Sequence, residues 1–138
     1  MSLYDYSKYA EKIETAEAGI LLQPNSEELI RFIGLRPIVS NKYDPPRDYL
    51  VLKFDFPQQP LAYEAEYLLI APSSYDYLDA KELNDACVNM RNIAQALGIN
   101  LSKPVNWEEH IGKECSAKIK PVPSDGNFRP KHSIVKFI

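Results

Sequence analysis

Two histidines and two cysteines are too few to furnish much chemistry, and His110, His132, Cys87 and Cys115 never fall into the short spacings of a zinc site. Glycine is scarce as well, with five residues in 138, and no glycine-rich phosphate loop or nucleophile-elbow pattern is formed from them. An enzyme has little to work with, so no catalytic residue, no metal and no cofactor is expected. The two histidines stand in polar surroundings and read as solvated or hydrogen-bonded surface residues. Cys87 falls on the apolar stripe of a helix and Cys115 in a strand, so both read as small core residues and a structural disulfide is not expected.

Long apolar runs are missing too: none approaches the eighteen residues of a membrane span, so no membrane partner is expected. The opening MSLYDYSKYAEKIE is polar, aromatic and acidic, without the basic and apolar regions of a signal peptide, which makes the cytoplasm the expected location. A strong charge of one sign is likewise absent. The net charge is −3, against a strongly basic nucleic-acid binder, yet residues 1–30 carry −4, 31–58 carry +2, 59–112 carry −5 and 113–138 carry +4. If the fold joins the two positive segments, an acidic protein acquires a locally basic surface.

Present in quantity are eleven prolines and nine tyrosines, in a chain whose 45% hydrophobic and 25% charged residues suit one globular domain. One long helix is announced, over residues 79–98. Leu83, Ala86, Cys87, Met90, Ile93, Ala94 and Leu97 recur at three- and four-residue steps and form a stripe that must face a core. Asp79 is a good N-cap, Glu82 completes a capping-box spacing, and Gly98 suits the left-handed C-terminal position.

Around that helix every other apolar run reads as a strand. Residues 1–26 show no clean period and are expected to form an arm lying across the domain that spans 27–138. A first strand over 28–40 carries Arg31 and Arg36, with a bulge or coil at Gly34. A polar loop, NKYDPPRD (41–48), leads to a strand over 49–56, where Leu50, Leu52, Phe54 and Phe56 alternate with Tyr49, Val51, Lys53 and Asp55. A third strand over 61–70 sets Tyr63, Ala65, Tyr67 and Leu69 against Glu64, Glu66 and Leu68. Beyond the helix, 99–112 is a connector with one helical turn near Trp107, followed by strands over 113–121 and 133–138. The loop between those two is turned by Asp125-Gly126. Glu64 and Glu66 share a strand face and could hold a metal, but without a third ligand they read as a solvated face.

Strand, strand, strand, helix, strand, strand is the element order of the OB-fold, mainly β, a five-stranded barrel with one helix between strands three and four, with SH3-like barrels and other α+β folds as the alternatives. Its binding surface is strands two and three with the loops after strands one and four. Both loops here lie in the basic segments. Sequence-tolerant binding of a single strand needs cations along a phosphate path and flat side chains on which bases stack. The first basic segment offers Arg36, Lys42, Tyr43, Arg47, Tyr49 and Lys53; the second offers Lys118, Lys120, Phe128, Arg129 and Lys131.

The runs ALGINL, WEEHIGKECSAKIK and SDGNFRPKHSIVKFI, with the opening MSLYDYSKY, resemble the phage and prophage single-stranded-DNA-binding OB-fold proteins long catalogued as a domain of unknown function. The resemblance covers about half of the chain, and the Tyr- and Glu-rich third strand and proline-rich first loop depart from it. It implies a non-catalytic single-stranded DNA-binding protein of DNA replication or recombination, sited in the host cytoplasm if phage-encoded. Single-stranded DNA is the implied partner, with replication or recombination proteins and a second copy of the chain as further candidates. An OB-type protein-protein interaction module without nucleic-acid binding is the alternative.

Overall fold

A computed structural model describes residues 2–16, 18–126 and 128–138. Five strands, β1 (Ser26–Ser40), β2 (Arg47–Asp55), β3 (Ala65–Ile70), β4 (Glu114–Val122) and β5 (Lys131–Phe137), close into a barrel in the order β1, β2, β3, β5, β4. Neighbouring strands are antiparallel except β3 and β5, which close the barrel through a short parallel pairing of Ala65 with His132 and Glu66 with Ser133. The long β1 pairs with β4 through its first half and with β2 through its second, and its register slips between Phe32 and Gly34. That bulge lets one strand serve two walls. This is the OB-fold, with α2 (Ala80–Leu97) between β3 and β4.

The alternation expected in β2 holds from Leu52 to Asp55, but Val51, expected on the outer face, is buried and Leu50, expected inside, is only partly so. Leu52, Phe54 and Phe56 point inward with Ile30, Phe32, Ala65, Leu69, Ala117, Ile119 and Ile134, and α2 caps them with Ile93 and Leu97. Phe32 and Phe54 lie fully buried with ring centroids 5.6 Å apart, so truncating either to Ala should cost about 3–5 kcal/mol.

The helix is capped as its sequence signals. The Glu82 amide donates to the Asp79 carboxylate at 2.8 Å, the Asp79 amide donates to Glu82 Oε1 at 3.2 Å, and Gly98 ends the helix in the left-handed conformation. Its buried stripe is narrower than expected. Ala86, Ile93, Ala94 and Leu97 are buried, whereas Cys87 is exposed and Leu83 is 37% exposed. Cys87 stands one residue, about 100° of helix rotation, from Ala86, which is enough to carry it off a barrel end that a single stripe covers.

Two other expectations are corrected. The third strand begins at Ala65, because residues 57–64 turn twice, through Gln59 N–H to the Phe56 carbonyl and Ala62 N–H to the Gln59 carbonyl. His132 is no surface residue but fully buried. Its Nε2 accepts from the Leu22 amide at 2.9 Å and its Nδ1 lies 2.7 Å from the Tyr63 carbonyl, so the ring is neutral with the proton on Nδ1. His110 is half-buried and hydrogen-bonded to Lys113 Nζ at 2.9 Å.

Through Leu22, His132 pins the second half of the arm to the barrel. Ile20 bridges Ala62, and Gly19 lies flat on the Tyr63 ring, where an added Cβ would stand 2.8 Å from ring carbons. The first half of the arm is a 3-10 turn (Ser7–Tyr9) leading into α1 (Ala10–Thr15), and neither buries a residue.

Candidate nucleic-acid interface

Outward-facing residues of β1, β2 and β3 line up in rows across the sheet. One row is Arg36, Val51 and Leu68; the next is Gly34, Lys53 and Glu66, extended to Ser133 of β5; a third is Ile38, Tyr49 and Ile70. Period-two alternation produces them on β2 and β3, where the neighbouring Leu52, Phe54, Ala65 and Leu69 fill the core; Val51 in the first row is itself buried, whereas Arg36 and Leu68 on either side of it are exposed. The loop before β5 rises beside the second row. Together they bound an open groove of about 480 Å³ lined by Arg36, Lys53, Glu64, Glu66, Phe128, Arg129 and Lys131, with Tyr63, the 60–62 turn and Ala18 of the arm as its far wall.

The two basic segments therefore meet at Arg36 and Lys53 on one side and Phe128, Arg129 and Lys131 on the other. Phe128 is 66% exposed. Its loop is shaped locally: the Phe128 amide donates to Asp125 Oδ1 at 3.3 Å, and the Ser124 hydroxyl donates to the Phe128 carbonyl at 2.6 Å. An exposed ring on a hydrogen-bonded turn is a platform on which a flat ligand can stack.

Between the cations sits Glu66. Its Oε1 accepts from Lys131 Nζ at 2.6 Å, its Oε2 lies 3.6 Å from Lys53 Nζ, and the Glu64 carboxylate lies 3.9 Å from the same ammonium. Burial works to raise the Glu66 pKa, but the hydrogen bond and charge of Lys131, helped by Lys53, outweigh it and hold the carboxyl below its ordinary range. The groove is thus four cations set around two carboxylates.

The remaining expected residues go elsewhere. Arg47 is only 9% exposed, with its guanidinium 2.7 Å from Glu82 Oε2 and stacked 3.8 Å from the centroid of Tyr43. Its charge is already committed within the protein. Tyr49 is half-buried in the same cluster, where burial first, and then a hydrogen bond with Tyr43, raise its phenol pKa against the opposing Arg47. Lys42 is exposed at the tip of the 41–46 loop, whose base is fixed by the Asp48 amide donating to Ser74 Oγ at 2.9 Å and Ser73 Oγ donating to Asp48 Oδ2 at 2.9 Å. Lys118 and Lys120 project from β4, which pairs with β1 and β5 and so belongs to another wall of the barrel. The structure does not bring those two lysines to the groove.

Sequence reasoning expects the arm across the domain but does not place Ala18 in the groove wall, and it misses the second role of Glu82. Nothing in the aperiodic 1–26 stretch signals the first; the second hides because a capping-box glutamate looks fully employed. Among the described residues no three His, Cys, Asp or Glu side chains gather to hold a metal, and no helix is long and apolar enough to cross a membrane. No protein-family model matches the chain, and no curated protein matches it either.

Proposed function

We propose that this protein binds single-stranded DNA, without catalysis, in the groove over β2 and β3, and serves DNA replication or recombination in the manner of the phage-type proteins it resembles. One observation carries the reading: an OB barrel whose binding face joins Arg36, Lys53, Arg129 and Lys131 to an exposed Phe128 beside one open groove. Cations there meet phosphates and the ring stacks on a base, while exposed Leu68 on the adjoining row offers apolar surface to a second one.

Up to four phosphates fit that set of cations, so log Kd for oligo-dT should shift with log salt by up to about 3, at roughly 0.7 per phosphate. Fluorescence anisotropy at low salt followed by salt titration tests this. Absence of binding at low salt removes the proposal.

The exposed residues of the arm favour a second reading, a module that binds protein. Leu3, Tyr4, Tyr6, Tyr9 and Ile13 all face solvent. A stable protein complex lost on deleting residues 2–16, together with no affinity for oligo-dT, would select it.

A further inference from the structure

Glu66 occupies the place in the groove where an anion is best held. It stands on β3 with Lys53 directly opposite on β2 and Lys131 reaching over from β5, each ammonium taking one carboxylate oxygen. The side chain is only 17% exposed, whereas both lysines keep considerably more of their surface in water. Stability alone gives little reason for the arrangement, because partly exposed lysine-carboxylate pairs contribute about 0–1 kcal/mol. Geometry gives a better one. Lys53 and Lys131 belong to strands two apart, roughly 10 Å at the usual spacing, and two ammonium groups facing one groove would repel and splay without an anion between them.

We infer that Glu66 is a built-in stand-in for a backbone phosphate: it holds Lys53 and Lys131 converged in the free protein and is exchanged for a phosphate when a single strand enters. The inference rests on the single-strand reading above and specifies how that site is tuned. Binding must break the Glu66 pairs, so part of each lysine's attraction for the ligand is already spent. The protein binds more weakly, and with a shallower salt dependence, than its four groove cations alone would give. Glu64 differs, being half-exposed and 3.9 Å from Lys53, and so sets less of this balance.

The test is anisotropy with oligo-dT across a salt series for the parent, Glu66→Gln and Glu64→Gln, with thermal melts confirming that each is folded. Glutamine keeps the shape and an acceptor oxygen but not the charge. Glu66→Gln should bind about 3- to 10-fold tighter at low salt and steepen the salt slope by about 0.7, one phosphate's worth. Glu64→Gln, which removes one longer contact to a single lysine, should tighten binding by less than Glu66→Gln does. Equal or weaker binding by folded Glu66→Gln, where the parent binds, overturns the inference and leaves the single-strand reading standing. Equal tightening by both variants overturns it too, since the effect is then the general field of the groove. If neither parent nor Glu66→Gln binds, both fall together; if only Glu66→Gln binds, the inference holds in its strongest form.

Discussion

The Arg47 guanidinium lies 3.8 Å from the centre of the Tyr43 ring while its other side meets Glu82, so a loop, a strand end and the first turn of α2 are joined through one side chain. Arg47 is therefore a bolt between the 41–46 loop and the helix. Replacing it by Ala leaves Glu82 Oε2 without its guanidinium partner and frees the loop; because Glu82 retains access to water and its capping bond to the Asp79 amide, the expected cost is about 1–2 kcal/mol of fold stability. Chemical denaturation measures it. The salt slope for oligo-dT should stay within about 0.3 of the parent's, less than half of one phosphate contact.

Phe128 predicts the reverse pattern. Its ring is open to solvent, so Phe128→Ala should leave the melting temperature unchanged while weakening oligo-dT binding by about 1–3 kcal/mol, the worth of one stacked base. A loss of stability with unchanged binding would mean that the ring packs inward.

His132 bonds two backbone groups at once, the Leu22 amide and the Tyr63 carbonyl, inside a buried site against Phe56 at 5.2 Å. His132→Ala orphans both and opens a cavity, for an expected cost of about 3–5 kcal/mol. Because Leu22 holds the arm, limited proteolysis of this variant should cut near residues 18–24 well before it cuts the barrel.

The Glu66 pairs fix a pH dependence. Its folded pKa lies below the ordinary carboxylate value, so the stabilisation is fully present above that ordinary range and is lost as pH falls through the depressed folded value. Glu66→Gln should flatten the acid limb of the stability curve relative to the parent, as read by melts taken from neutral to acidic pH.

The two thiols should separate cleanly. Cys87 is exposed on α2, while burial pushes the Cys115 thiol up to about 11. A thiol reagent at neutral pH should label Cys87 in the folded protein and reach Cys115 only after unfolding.

How far these features were legible beforehand depends on the range of the interaction that makes them. The caps of α2, the alternation of Leu52 and Phe54 and the bulge before Gly34 are local, and each was readable from neighbouring residues. His132 was misjudged because its partners, Leu22 and Tyr63, are 110 and 69 residues away, and flanking lysine and serine say nothing of them. Arg47 and Lys118 look alike in sequence as cations in basic segments. One pairs with Glu82 and the other faces a different wall, which only strand order decides. Charge counts by segment gave the groove its sign but could not reveal that Glu66 already occupies two of its cations.

Amide chemical shifts followed by NMR while oligo-dT is added at low salt test the groove most directly. Shifts concentrated on residues 34–36, 51–53, 64–68 and 126–131, with β4 around Lys118 and Lys120 undisturbed, are expected. Shifts centred on β4 or on the arm alone, or none at all, would contradict the assignment of single-strand binding to this face of the barrel.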